Sequence, residues 1–155
     1  SLVVWSQAIR ADFAANRILD NEKLDKGQIL SAIHIWPALK TTELIAVAAS
    51  GVDSNCEVLD DLAERMIEID VRSAQGWYLE AICRNVKKEF SEAFSASERT
   101  LDLDPLNPVY LVANAKLALA SGKKEEAITS IKTLKSNFPE NAELGALESF
   151  ISSQP

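Results

Sequence analysis

Apolar residues recur along this chain at steps of three and four, the spacing of a single helix face. Trp77, Tyr78, Ala81, Ile82 and Val86 form one such run. Lys87-Lys88-Glu89 interrupts it, and Phe90, Ala93, Phe94, Ser97 and Leu101 then form a second run. Asp104-Pro105 ends that helix, because the residue before a proline avoids helical dihedrals. The pattern begins again with Leu111, Val112, Ala115 and Leu119, turns at Ser121-Gly122, and continues through Ala127, Ile128, Ile131, Leu134 and Phe138 to Pro139. Two helical hairpins in succession are predicted.

The hairpins superpose at an offset of 34 residues: Ala81 on Ala115, Glu92 on Glu126, Ala93 on Ala127, Leu101 on Lys135 and Pro105 on Pro139. The small residues are the informative matches, since two helices joined by a short turn approach closely only where alanine or glycine sits at the crossing. The frame extends backward. Glu68-Ile69-Asp70-Val71 echoes Asp102-Leu103-Asp104-Pro105, and Pro37 follows Ile35-Trp36 one period earlier. Four units result, 6–39, 40–73, 74–107 and 108–141, with helix pairs 3–21 with 25–36 and 40–50 with 55–69 in the first two. The tail has Leu144, Leu147, Phe150 and Ile151 at helical spacing and reads as a capping helix over 142–152. Ser153-Gln154-Pro155 is expected to fray.

The chain resembles the tetratricopeptide repeat (TPR) family, whose period is 34 with two helices per unit. Over 74–141, Trp77, Ala81, Phe90, Ala93, Pro105, Leu111, Ala115, Gly122, Ala127 and Pro139 match the family pattern. Over 6–73, the period, Ala32 and Pro37 carry the resemblance. Glu80 and Asn114 stand where the family often has leucine, and Arg84 where it often has an aromatic, so packing between neighbouring helices is expected to be atypical there. The implied fold is all-α: a right-handed superhelical array of antiparallel helix pairs, a TPR-like solenoid of about four units plus the capping helix, in a single domain over 1–155.

The resemblance further implies a concave wall built from first helices that holds a peptide or partner segment. By resemblance, that wall would carry Arg10 and Arg17, then Leu44 and Ala48, then Gln75, Tyr78, Ile82 and Asn85, and finally Val112, Lys116 and Leu119. Tyr78 and Asn85 are seven residues apart, two turns along one face, and could bracket a peptide backbone with hydroxyl and amide groups. The alternative is that Tyr78 packs on the next repeat and Asn85 faces water. Chaperone-binding members of the family clamp a C-terminal carboxylate with Lys, Asn and Arg. The matching positions here are Arg10, Ala14, Ile45, Gln75 and Leu79, of which only Arg10 suits that chemistry. One unit later they are Leu44, Ala48, Leu79, Val109 and Ala113, and none suits it.

Composition narrows the partners. A net charge of −7 disfavours nucleic acid and anionic lipid. Leu44 to Ala49 is among the longest apolar stretches and falls far short of the roughly 20 residues a membrane helix needs. Two cysteines, Cys56 and Cys83, make no disulfide framework and are read as buried thiols. The single histidine, His34, is read as a cap or packing residue. Asp60-Asp61, Glu64 and Glu68 are read as an outward, solvated helix face, and Lys123, Lys124, Lys132 and Lys135 as ordinary surface beside Glu125 and Glu126. No nucleophile elbow, phosphate loop, dinucleotide fingerprint or Cys-x-x-Cys is present, so neither catalysis nor a cofactor is expected.

The function expected is a non-catalytic interaction scaffold with a protein or peptide partner, self-association into a homodimer being left open. A second reading starts from Ser1, which reads as the start of an excised piece, and from the leading Ser-Leu-Val-Val-Trp. Arg10-Ala-Asp-Phe-Ala-Ala looks similar to the junction after the last span of bacterial membrane glycan polymerases and ligases of the O-antigen type, which carry such repeats. The chain would then be cytoplasmic, or a soluble domain attached to a membrane protein.

Overall fold

The structure is a computed structural model that describes residues 56–153. The helix pairs expected over 3–21 with 25–36, the helix at 40–50, His34 and the groove positions Arg10, Arg17, Leu44 and Ala48 lie outside the described residues. The chain divides into two compact units, Ser1–Val71 and Arg72–Pro155. Among the described residues every regular element is a helix, and there are six: α1 Glu57–Ile69, α2 Ala74–Val86, α3 Phe90–Leu103, α4 Pro108–Ala120, α5 Lys124–Asn137 and α6 Leu144–Ser153.

Helix α1 is the described element of the first unit. Leu59, Leu62 and Ala63 form its buried face, while Glu64 and Glu68 are exposed and Arg65 pairs with Glu68 at 3.0 Å. Asp60 and Asp61 are half-buried, which corrects the reading of all four acids as one solvated face. Asp60 follows directly on Leu59, and one step of about 100° carries it to the flank of the apolar stripe rather than opposite it.

In the second unit each helix packs on its successor: α2 on α3, α3 on α4, α4 on α5 and α5 on α6, with a further contact of α4 with α6. The backbone repeats with the period read from the sequence. Ser73, Asn107 and Asn141 stand 34 apart, and each accepts a backbone hydrogen bond that opens a helix, from Gly76 N at 3.1 Å, Val109 N at 3.1 Å and Glu143 N at 3.0 Å. These short polar side chains satisfy donors that have no partner inside the helix. Asp70, Asp104 and Phe138 end their helices at similar φ, −143°, −144° and −138°. In each, the N–H bonds the carbonyl four residues back, Met66, Thr100 and Leu134 respectively.

The turns within the hairpins are also superposable. Lys88 and Gly122 are left-handed at φ 64° and 77°, and the residue after each closes a longer bond, Glu89 N to Arg84 O at 2.9 Å and Lys123 N to Ala118 O at 2.8 Å. This is the Schellman C-cap, in which a left-handed residue lets two successive N–H groups reach back to otherwise orphaned carbonyls. Glycine meets that requirement without strain and lysine does not.

The alanines expected at the hairpin crossings all lie in the core. Ala81, Ala93, Ala115 and Ala127 are all 0% exposed. Ala81 and Ala93 share a cluster with Phe94, Ala118 and Ala127, and Ala115 packs with Leu111, Ile131, Leu134, Leu144 and Leu147. Two apolar expectations need correction. Val86 is 47% exposed and Phe90 39%, both at helix ends beside the α2–α3 turn. The capping helix runs over Leu144–Ser153 rather than 142–152, since Asn141 caps it and 142–143 form the entering turn.

Both departures from the family pattern acquire polar partners. Asn114 is 3% exposed and donates to Ser97 Oγ at 2.9 Å, while its amide oxygen accepts from Ser130 Oγ at 2.6 Å. Ser97 Oγ donates in turn to the carbonyl of Phe94 at 2.7 Å. The chain of bonds ties α3, α4 and α5 together inside the core, and such a cluster is stable only when every member is satisfied. At the other departure Arg84 Nε donates to Glu80 at 2.7 Å and its terminal nitrogen to Glu89 at 2.8 Å. Those two carboxylates, Glu89 first, stabilise the guanidinium charge and raise its pKa.

Candidate functional site

Carried onto the tail, the 34-residue register aligns Gln75, Val109 and Glu143, then Tyr78, Val112 and Ala146, then Ile82, Lys116 and Phe150, then Asn85 and Leu119. These rows fall on α2, α4 and α6, except for Glu143, which lies in the turn just before α6. Two clefts lie along them. One, about 340 Å³, is lined by Tyr78, Pro108, Val109, Val112, Ala113 and Asn141, with Lys116 and Glu143 at its border. The other, about 360 Å³, is lined by Leu119, Ala120, Ala146, Leu147 and Phe150, again with Lys116 and Glu143. The same two charged residues therefore belong to both clefts, and they are bonded to each other, Lys116 Nζ to Glu143 Oε2 at 2.9 Å.

Of the site residues expected from sequence, Tyr78 and Lys116 meet in the first cleft, together with Val112. Gln75 and Ile82 are half-buried and Asn85 is exposed, and none of the three lines either cleft. Arg10 and Arg17 lie outside the described residues, as noted. Tyr78 packs on the next unit and Asn85 is exposed, as the alternative reading has it. The Tyr78 ring packs on Tyr110 of the next unit with centroids 5.0 Å apart and planes tilted by 43°, and its remaining surface lines the cleft. Burial raises the pKa of its phenol above the ordinary value of 10.0, and the Lys116 charge opposes that shift.

Glu143, Ala146 and Phe150 were missed as wall residues. The signal was available: they fall at the 34-residue offset from Val109, Val112 and Lys116. Treating the tail only as a lid on the core hid it. Phe150 is 49% exposed, so the capping helix turns Leu144 and Leu147 inward while leaving a large apolar ring at the cleft wall.

Elsewhere on the second unit, a shallower groove of about 540 Å³ lies along α2 and α3, lined by Trp77, Glu80, Arg84, Ser95 and Arg99 among others. Arg84 is already held there by two carboxylates. Of the lysine cluster, Lys123 lies over the Phe94 ring at 5.1 Å and Lys135 pairs with Glu148 at 2.8 Å. Cys56 and Cys83 are both buried and not disulfide-bonded. Among the described residues, no group of three or more His, Cys, Asp or Glu could hold a metal ion, and no helix is long and apolar enough to cross a membrane.

Comparison with protein-family models finds no match, and comparison with curated proteins finds no significant relative.

Proposed function

We propose that the Arg72–Pro155 unit is part of a TPR-like solenoid, and that the wall formed by α2, α4 and α6 holds a segment of a partner protein. The 34-residue recurrence of caps, helix ends and turns supports the solenoid reading. One observation carries the binding reading. Three opening helices contribute Tyr78, Val112 and Phe150 to two adjoining clefts whose walls are largely apolar. Cleft volumes of 340 and 360 Å³ sit near the lower end of the range for ligand sites, which suits the anchoring of individual side chains.

The test is an affinity capture with Val109→Asp and Tyr78→Ala beside the unchanged protein, the bound proteins being identified by mass spectrometry. Val109 is 54% exposed, so its substitution alters the wall and leaves the core alone. Partners captured by the unchanged protein should be lost from both variants while the far-ultraviolet circular dichroism stays the same. Equal capture by Val109→Asp would remove this wall as the site.

A further inference from the structure

The pattern of α4 says little about which way the helix should face. Of its thirteen residues, Asn114 and Lys116 are the two that are neither apolar nor aromatic. Helix α5 is the contrast. Its Glu125, Glu126, Thr129, Lys132 and Lys135 are exposed while Ala127, Ile131 and Leu134 are buried, so a polar face and an apolar face fix its orientation. On α4 the exposed residues include Val109 and Ala120, and the buried ones Leu111, Ala115 and Ala118, so apolar side chains stand on both sides. Lys116 marks the outer side weakly, because a lysine stem lies along apolar surface and still brings its ammonium to water.

The surface on which α4 stacks adds little direction of its own. Where hairpin α4–α5 meets hairpin α2–α3, Ala93, Ala96, Ala118 and Ala127 cluster with Phe94 and Leu117. Alanine surfaces have shallow relief, and placements related by a small turn or slide bury similar apolar area. Asn114 removes that freedom. Its amide donates to Ser97 Oγ on the preceding hairpin at 2.9 Å and accepts from Ser130 Oγ on its own hairpin at 2.6 Å. All three side chains are buried, so a displaced amide finds no water in place of its lost partners.

We infer that the Ser97–Asn114–Ser130 chain is a register lock, which selects one stacking of hairpin α4–α5 on hairpin α2–α3 and adds little to net stability. Burying polar groups costs about what their mutual bonds return in the correct stacking. A shifted stacking keeps the cost and loses the return, so the lock acts by penalising wrong arrangements. One buried asparagine sets helix register in coiled coils by the same physics. The inference does not depend on what the wall binds. It has a reporter outside the network: Tyr78 of α2 and Tyr110 of α4 belong to the two hairpins, and their ring centroids are 5.0 Å apart.

The test is methyl and aromatic NMR on the full chain, comparing the unchanged protein, the triple variant Ser97→Ala, Asn114→Leu, Ser130→Ala, and the single variant Lys116→Leu. The triple variant should keep its far-ultraviolet circular dichroism and urea midpoint. Its Leu117 and Ala118 methyl resonances should nevertheless split or broaden, and the Overhauser contact between the Tyr78 and Tyr110 rings should be lost. Lys116→Leu, with the network intact, should give one sharp set of resonances and keep that contact. A triple variant with a single sharp set and the tyrosine contact in place would overturn the inference, because packing alone would then select the stacking. A triple variant that unfolds would overturn it as well, making the network a source of stability rather than of register. Split resonances in Lys116→Leu would assign the orientation of α4 to its outward charge instead.

Discussion

Asn114 and Ser130 share a 2.6 Å hydrogen bond across the α4–α5 contact, with both side chains buried. The bond stands at a position where an apolar residue would be ordinary, and it continues through Ser97 to the backbone of α3. Asn114 thus becomes the junction of three helices.

Truncation at this junction should be costly and wholesale replacement cheap. Asn114→Ala leaves the Ser130 hydroxyl buried without its acceptor, for a loss of about 1–3 kcal/mol in urea unfolding. The triple change Asn114→Leu, Ser97→Ala, Ser130→Ala removes every polar member together and should be nearly neutral. A single Asn114→Ala as mild as a surface change would show that the chain of bonds does not hold the helices.

The hairpin turns offer a paired test of backbone strain. Lys88 has φ 64° where its counterpart 34 residues on is Gly122 at φ 77°. Lys88→Gly should stabilise the protein by about 0.5–1 kcal/mol, the relief of a left-handed side chain less the added freedom of the unfolded chain. Gly122→Ala should destabilise it by about 1 kcal/mol through the dihedral alone, since a Cβ there meets nothing within 4 Å. Thermal melts that move in the opposite sense would mean these turns do not set the hairpin geometry.

At the helix crossing, side-chain size should matter far more than charge. Ala127 is 0% exposed in a cluster with Ala118 and Leu117, so Ala127→Leu overpacks it at a cost of about 1–3 kcal/mol. Glu126 beside it is exposed, and Glu126→Ala should change stability by no more than about 0.5 kcal/mol. Matching urea midpoints for the two variants would place the crossing elsewhere.

The Tyr78 phenol predicts a loss of stability in strong base. Its pKa in the folded protein is raised above 10.0 by burial, with the Lys116 charge partly opposing. The neutral phenol is therefore favoured by folding. Its contribution is complete below pH 10 and is lost as pH rises through the folded pKa, because the unfolded chain releases the proton first. Guanidinium melts from pH 8 to 11 should fall more steeply for the unchanged protein than for Tyr78→Phe, which cannot titrate. Parallel curves would place the phenol in water.

The local features of this protein were written in its sequence. Over the described residues, the recurrence at 34, the positions of the helices, the prolines that follow their ends and the buried alanines follow from interactions between near neighbours in the chain. A helix face, a cap and a left-handed turn each depend on a handful of consecutive residues, so their signals survive without knowledge of the rest. What lies across from a side chain is a different kind of fact. Glu80, Arg84 and Asn114 looked like mismatches when each was compared with one family position, and their partners became visible only when Glu89, Ser97 and Ser130 were placed around them. Val86 and Phe90 kept the right spacing yet stayed in water, because spacing says which way a residue points and not whether anything stands there. Lys116 was placed on the wall by register alone, and its partner Glu143, just before α6 at 2.9 Å, became visible only in the structure, as did the half-exposed ring of Phe150. Pairing across helices is set by how whole elements dock, and that docking distributes one sequence's polar and apolar groups among partners that no local pattern names.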